Sequence, residues 1–266
     1  MIHLVADGAA IGYDDTGQGP AIVFLHAFPL NRAMWAPQTS ALAATWRCVT
    51  IDARGFGDST PVGAFTVDRY ADDVVAVLDG LGVERAIVVG LSMGGYVAFA
   101  LWRRHPRRVR ALVLADTRAG ADTAETRDRR RELIALARSS GVGAVADRQM
   151  AGLLGKSTRG RGPEIETSAR SIAANATVDG VVGALEAMME RPDSTPTLAT
   201  ITVPSLILAG AEDVLTPPKE ARAMHSVICG SRLEILAHAG HLSSMERPAA
   251  FNAVLNEFLP VVESAN

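Results

Sequence analysis

The chain has 266 residues, of which 48% are hydrophobic, and a formal net charge of −3. This length and apolar content suit one large α/β domain that carries an insertion. The small negative charge gives no reason to expect nucleic acid or an anionic membrane surface as a partner.

Cysteine usage and hydropathy bear on the compartment in which the protein works. Cys48 and Cys229 are distant in sequence and form no disulfide framework, so a reducing compartment is expected. The N-terminus lacks a basic region followed by an apolar stretch, and no apolar run approaches the ~20 residues of a membrane span. We therefore expect a cytoplasmic protein that does not contact membranes.

Apolar runs alternate with helical patterns over the first part of the chain. Residues 2–5 and 9–13 predict a hairpin that turns at Asp7-Gly8. This alternation implies a mostly parallel sheet with helices on both faces. Buried strands are predicted at 21–25, 48–51, 86–89 and 109–115, and helices at 31–44, 68–81 and 96–104.

Between residues 118 and 200 the alternation stops and only helical patterns remain. We predict a helical cap over 118–200, inserted after the sixth strand, with the α/β core formed by 1–117 and 201–266. The predicted fold is therefore α/β, with an eight-stranded, mostly parallel sheet. The cap helices are predicted at 127–139, 142–154, 165–175 and 178–190, and the core resumes with strands at 205–209 and 233–236, a helix opened by Pro217-Pro218, and a helix at 248–259.

A G-x-S-x-G pattern is centred on Ser92, between the strand at 86–89 and the helix at 96–104. A serine in that position must occupy a tight turn, and glycines at 90 and 94 remove Cβ atoms that would clash there. The turn places the hydroxyl at a helix N-terminus, where free backbone N–H groups favour a developing negative charge. An ordinary helix N-cap is the alternative role for this serine.

A serine hydroxyl needs a nearby base, and the base needs an orienting acid. Asp213 follows the strand at 205–209, and His241 follows the last strand. Because the carboxyl ends of parallel strands share one edge of a sheet, Ser92, Asp213 and His241 are expected to meet there. Glu212 and Asp116 are alternative candidates for the acid, whereas His238 is expected to be structural or at the pocket rim.

The chain resembles the α/β-hydrolase family, whose catalytic residues follow the order serine, acid, histidine. The resemblance implies that Ser92 is the nucleophile, that His241 is general base and then general acid, and that Asp213 orients the histidine. It also implies that the Phe28 and Met93 amides form an oxyanion hole. It rests on residues 26–29, 52–59, 90–95, 210–213 and 240–241.

One position departs from the family pattern. The loop after the third strand carries Ala27 where the family usually has glycine, between His26 and Phe28. If that position requires a positive φ, alanine would be strained there. His26 is expected to order this loop.

The implied activity is hydrolysis of small carboxylic esters through an acyl-enzyme on Ser92. Overall similarity points to small bacterial carboxylesterases and to the 3-oxoadipate enol-lactonase group. Carbon–carbon bond hydrolases, cofactor-free perhydrolases and hydroxynitrile lyases use the same triad, and some relatives with this fold are ligand receptors without turnover. For a lactonase with an anionic substrate, cap cations would be needed: Arg127, Arg148 and Arg170 are the candidates.

The expected partner is a small-molecule ester or lactone. No cofactor and no metal are expected, since the sequence has no Walker loop, no H-E-x-x-H, no paired C-x-x-C and no G-x-G-x-x-G after a strand. A homodimer is left open. The residues expected to line an apolar pocket are Phe28, Leu153, Leu154, Met188 and Met189.

Overall fold

A computed structural model describes residues 2–159 and 163–264. Within them, an eight-stranded sheet has the order β1-β2-β4-β3-β5-β6-β7-β8; the β1–β2 and β2–β4 pairs are antiparallel, and the other described pairs are parallel. The predicted α/β fold with a mostly parallel sheet is confirmed. The strands are β1 Ile2–Ala6, β2 Ala9–Thr16, β3 Ala21–Leu25, β4 Arg47–Ile51, β5 Ala86–Leu91, β6 Val109–Ala115, β7 Ser205–Gly210 and β8 Arg232–Leu236.

Helices connect the strands and cover both faces of the sheet. Two short 3₁₀ segments, Arg32–Trp35 and Pro106–Arg108, supplement them. The α-helices are α1 Ala36–Leu42, α2 Val67–Gly80, α3 Met93–Arg104, α4 Ala124–Leu153, α5 Lys156–Arg159, α6 Glu164–Ala173, α7 Val178–Glu190, α8 Thr195–Leu198, α9 Pro218–Val227, α10 Ser243–Glu246 and α11 Pro248–Ser264.

The sheet separates two apolar cores because successive side chains of a strand point to opposite faces. In β3, Val23 and Leu25 pack with α2, α3 and α9 on one face. Ile22 and Phe24 pack on the other face, with α1 and α11. All five residues of β3 are buried, which explains why this strand is a continuous apolar run in the sequence.

Helices α4 to α8 lie between β6 and β7 and form the helical insertion. α4 packs against α7 and α6 and is bent at Gly141, where φ is 81°. That bend falls between the two helices predicted at 127–139 and 142–154, because a residue with positive φ interrupts the helical backbone there. The short helices α5, α8 and α10 were not predicted, since a single turn has too few residues to show a period.

Glycine at position 94 is required by packing at the start of α3. A Cβ there would overlap the backbone carbonyl of Leu25 in β3. Gly143, in the exposed part of α4, has open space around its Cα.

We expect Gly94→Ala to lower the free energy of unfolding by about 1–3 kcal/mol, because backbone atoms must move to admit the methyl group. Gly143→Ala is the matched control and should be neutral or stabilising by up to about 1 kcal/mol, since alanine is the better helix former. Urea unfolding of both variants measures the difference. Equal stability of the two would contradict the packing argument.

Candidate active site

Ser92 lies in a strained turn between β5 and α3. Its φ of 55° and ψ of −111° are rare for a residue with a side chain and cost about 1–3 kcal/mol. Its backbone N–H donates to the Ala115 carbonyl at 3.0 Å, and the Thr117 hydroxyl donates to its carbonyl at 2.9 Å. The Ser92 side chain makes no capping bond to α3. The hydroxyl is therefore directed away from the helix and is not an ordinary N-cap.

The structure brings Ser92, His241 and Asp213 together at the carboxyl edge of the sheet. The Ser92 Oγ lies 2.7 Å from His241 Nε2, and His241 Nδ1 lies 2.8 Å from Asp213 Oδ2. All three residues are at least nine-tenths buried. With Nδ1–H donating to the carboxylate, Nε2 is left as the acceptor for the Ser92 hydroxyl proton.

Asp213 is held by its own turn. Its Oδ1 accepts the backbone N–H groups of Leu215 and Thr216 at 2.8 and 3.0 Å, and its Oδ2 accepts the Thr216 hydroxyl at 2.7 Å. Thr216 is a supporting residue that sequence reasoning missed. A hydroxyl three residues after an aspartate is a recognisable turn signal that could have identified it.

Burial and charge act against each other on the buried pair. Burial raises the pKa of Asp213, but the charge and hydrogen bond of His241 outweigh it, so the pKa lies below its usual value. Burial likewise lowers the pKa of His241, yet Asp213 outweighs it and raises the pKa above 6.5. The carboxylate therefore stabilises the imidazolium that forms when the histidine takes a proton.

The two alternative acids lie elsewhere in the hydrogen-bond network. Asp116 accepts the Gly210 N–H at 2.7 Å and the Ser243 hydroxyl, and so joins the end of β7 to α10. Burial, followed by the nearby charge of Asp213, raises its pKa well above the usual value. In the described structure neither Asp116 oxygen is hydrogen-bonded to the His241 ring, so Asp116 links the loops and does not orient the imidazole.

Glu212 and His238 also point away from the serine. Glu212 accepts the backbone N–H and the hydroxyl of Ser157 at 2.8 and 2.6 Å, which links β7 to the cap. The side chain of His238 is 60% exposed and lies 3.9 Å from a Glu212 oxygen. His238 therefore lies outside the cluster around Ser92.

His26 orders the loop after β3. Its Nε2 accepts the Ala53 N–H at 3.0 Å, and its Nδ1 lies 3.0 Å from the Ala27 carbonyl. Burial lowers the pKa of His26, which fits a neutral ring with one donor and one acceptor nitrogen. Ala27 is fully buried and its φ is not positive, so the strain considered for alanine at this position does not arise.

Phe28 and Met93 are the two residues whose backbone amides were predicted to form an oxyanion hole. Met93 is the first residue of α3, and Phe28 lines the same pocket as Ser92 and His241. Neither backbone N–H has an acceptor among the residues that the structure describes. Both donors are therefore free to bind an oxygen atom of a ligand.

A pocket that opens to solvent, with a cavity volume of about 200 Å³, contains Ser92 and His241. Of the five residues expected to line it, the structure places three there. Leu154 instead packs into the core with Ala239 and Leu242, and Met189 packs against the other core, because each side chain points away from the pocket on its own helix or turn. The apolar wall comprises Phe28, Leu133, Leu153, Met188, Val214 and Leu215.

The arginines that line the pocket differ from those expected. Arg127 is exposed outside it, Arg148 approaches Glu132, and Arg170 pairs with Asp147 and Glu166. Helical periodicity locates the cap helices but does not show which face of each points into the pocket. The sequence therefore did not identify the inward-facing arginines of α4. The polar wall comprises Tyr96, Arg118, Thr126, Arg129, Arg130, Gln149 and Thr216.

Glu246 connects the histidine loop to the base of the cap. One oxygen accepts the Gly240 N–H at 2.9 Å, and the other accepts the Gly155 N–H at 2.9 Å and the Thr158 hydroxyl at 2.5 Å. The backbone N–H of His241 donates to the Leu153 carbonyl, in the same part of the cap, at 3.1 Å. The position of the imidazole is thus tied to that of the cap, which no local sequence signal indicated.

Comparison with known proteins agrees with this geometry. Residues 20–248 match the model of the alpha/beta hydrolase fold family. The chain is 31% identical over 262 residues to 3-oxoadipate enol-lactonase 2 of Acinetobacter baylyi, with 96% of each chain covered. The protein belongs to the α/β-hydrolase family, and the resemblance noted in the sequence is confirmed.

Two solved structures are similar over nearly the whole chain. A thermophilic esterase from Thermogutta terrifontis has a TM-score of 0.93 and 36% identity, with 98% of this chain and 97% of that chain covered. The enol-lactonase from Burkholderia xenovorans LB400 has a TM-score of 0.91 and 29% identity, with 97% and 100% covered. Similarity over full length means that core and cap are both shared with these relatives.

The described residues lack two further kinds of feature. No group of three or more His, Cys, Asp or Glu side chains there has the arrangement of a metal site. None of the helices described is long and apolar enough to cross a membrane.

The choice of acid can be tested by two matched substitutions. We expect Asp213→Asn to lower kcat by about 10⁴-fold, because the amide cannot hold the imidazole in the required tautomer. Asp116→Asn keeps the size and tolerates the φ of 43°, and should cost less than about tenfold. Steady-state kinetics on one ester measures both. A larger loss for Asp116→Asn would reassign the acid.

The raised pKa of His241 sets the pH dependence. The histidine must be neutral to act as base, so kcat/KM should fall as the pH decreases through a pKa above 6.5. In Asp213→Asn the stabilising carboxylate is gone, and the midpoint of the remaining activity should shift to lower pH. A pH profile of kcat/KM for both proteins tests this. A wild-type midpoint below 6.5 would contradict it.

Proposed function

We propose that this hydrolase cleaves small carboxylic esters through an acyl-enzyme formed on Ser92. Its place among the carboxylic ester hydrolases rests on its similarity to the named esterases and enol-lactonases. The observation that carries the finer proposal is the hydrogen-bond chain from Ser92 through His241 to Asp213, with distances of 2.7 and 2.8 Å.

The reaction has two halves. Nε2 of His241 removes the hydroxyl proton as the Ser92 oxygen attacks the acyl carbon, and the imidazolium then gives that proton to the departing alcohol. A water molecule next attacks the acyl-enzyme with the same histidine as base. The proton returns to the serine oxygen as the carboxylic acid product leaves, so the enzyme is regenerated unchanged.

The amides of Phe28 and Met93 are the proposed oxyanion donors. The first is at the loop that His26 orders, and the second is the first amide of α3, where the helix dipole adds to its positive potential. Loss of one such donor usually costs about 3 kcal/mol of transition-state stabilisation. Because both are backbone groups, their position depends on the fold and not on any one side chain.

A lactone is the second candidate substrate. Two enol-lactonases are among the relatives, and arginines line the pocket beside Ser92. A lactone is an internal ester, so the same acyl-enzyme forms and the leaving alcohol stays attached to the product. Side-by-side rates on a lactone and on an open-chain ester of equal length distinguish the two candidates.

The serine can be tested by kinetics and by covalent labelling. Wild type should hydrolyse p-nitrophenyl acetate and be inactivated by a phosphonate that adds one phosphonyl group per chain. In Ser92→Ala both should disappear, because the nucleophilic oxygen is absent. Mass spectrometry of the digested protein locates the adduct.

Ser139→Ala, at an exposed position of α4, is the matched control and should retain full activity and labelling. A wild-type protein that binds esters or lactones without turnover would indicate a ligand receptor instead. Labelling at any serine other than residue 92 would overturn the proposed nucleophile.

A further inference from the structure

In the described structure, three consecutive backbone N–H groups around His241 are bound by two acceptors. The Gly240 N–H and the Leu242 N–H both donate to Oε1 of Glu246, at 2.9 and 3.2 Å. The His241 N–H and the Leu242 N–H donate to the Leu153 carbonyl, each at 3.1 Å. Backbone N–H groups that converge in this way form a concave site for an anion. The backbone on both sides of the histidine is therefore held by one carboxylate.

The second oxygen of Glu246 binds the base of the cap. Its Oε2 accepts the Gly155 N–H at 2.9 Å and the Thr158 hydroxyl at 2.5 Å. One side chain therefore joins two segments that are distant in the sequence. A neutral amide at this position has one accepting oxygen, so it can bind the histidine loop or the cap but not both.

Glu246 also acts on the imidazole through its charge. The residue is 4% exposed, and its bonded partners are three N–H groups and one hydroxyl, which carry no net charge. Burial lowers the pKa of His241, whereas Asp213 most strongly, followed by Asp116 and Glu246, raises it. The negative charge of Glu246 therefore favours the imidazolium that forms when the histidine takes a proton.

Glu212 provides a comparison, because it also binds the base of the cap with two hydrogen bonds. Its carboxylate accepts the Ser157 N–H and the Ser157 hydroxyl at 2.8 and 2.6 Å. In the part of the chain that the structure describes, it accepts no N–H from residues 240–242, whose acceptors are Glu246 and Leu153. Both glutamates thus anchor the cap, and Glu246 is the one that also holds the histidine loop.

We propose that Glu246 is a positioning residue for the reaction at Ser92, and that its two oxygens hold the loop of the general base against the cap. This rests on the proposed function for the claim that His241 acts as a base. A base must lie within hydrogen-bond reach of the proton it removes, and a displacement of about 1 Å can cost about 10²-fold in rate. Loss of the Glu246 bonds displaces the imidazole without removing it.

The experiment compares Glu246→Gln with Glu212→Gln, the same exchange at the two carboxylates that bind the cap. Glu246→Gln should lower kcat and kcat/KM for p-nitrophenyl acetate together, by about tenfold or more, because the base is displaced. The pH midpoint of its kcat/KM should lie below that of wild type, because a negative charge near the imidazole is lost. Glu212→Gln is the matched control and should keep kcat within about twofold and the midpoint of wild type.

Glu246→Asp separates the charge of this side chain from its reach. Aspartate keeps the negative charge but is one methylene shorter, so it reaches fewer of the four donors. Its pH midpoint should stay close to that of wild type while its kcat falls. Thermal unfolding of each variant measures the stability that the cap contacts contribute. If Glu246→Gln does not fold, the kcat and the midpoint of Glu246→Asp decide.

An NMR titration of the His241 ring needs no substrate, so it separates this proposal from the proposed function. The pKa of the ring should be lower in Glu246→Gln than in wild type. If the Glu246 variants lose thermal stability but keep the kcat and the pH midpoint of wild type, Glu246 is only structural and the proposal is overturned. If the ring pKa falls in Glu246→Gln but wild type cleaves no ester, the contact with His241 stands and the proposed function fails.

Discussion

The left-handed turn at Ser92 is the constraint on which the rest of the site depends. A φ of 55° at a residue with a side chain is unfavourable and persists only because the surroundings hold it. The Ala115 carbonyl and the Thr117 hydroxyl, both at the end of β6, bond the backbone of Ser92. The close approach of Gly94 to the Leu25 carbonyl presses α3 against the sheet. These contacts direct the hydroxyl out of the helix and toward His241.

Buried carboxylates organise the loops around that turn. Asp116 joins the end of β7 to α10, Asp213 holds its own turn, and Glu246 joins the histidine loop to the cap. Most of their partners are backbone N–H groups or hydroxyls, which compensate a buried oxygen without adding charge. Of these three groups, Asp213 is the one hydrogen-bonded to the His241 ring, while Asp116 and Glu246 act on the ring through their charge alone.

The cap and the loop that carries His241 are joined by backbone contacts. The Leu153 carbonyl at the end of α4 accepts the N–H groups of His241 and Leu242. Gly155 and Gly240 approach so closely that a Cβ on either would meet the backbone of the other. Because α4 also supplies Arg130 to the pocket wall, the cap influences both the position of His241 and the polarity of the pocket.

Much of the fold followed from local patterns. Continuous apolar runs such as β3 and β5 revealed a parallel sheet, because strands buried on both faces contain few polar residues. The glycines around Ser92 indicated the tight turn, and the positions of Asp213 and His241 just after strands indicated that they share one edge of the sheet. Even the bend of α4 at Gly141 was visible as a break in the helical pattern.

Other features depended on contacts between distant segments. Asp116, Glu212 and Asp213 each follow a strand, and only the packed structure brings Asp213 to His241 and directs the other two to Ser243 and Ser157. The periodicity of the cap located its helices but did not set their rotation, so Arg118 and Arg130 were not singled out and Leu154 and Met189 were placed in the pocket in error. A local pattern determines which residues can bury a face or make a turn; which side chains meet across that face is decided by tertiary packing, because the partners are far apart in the chain.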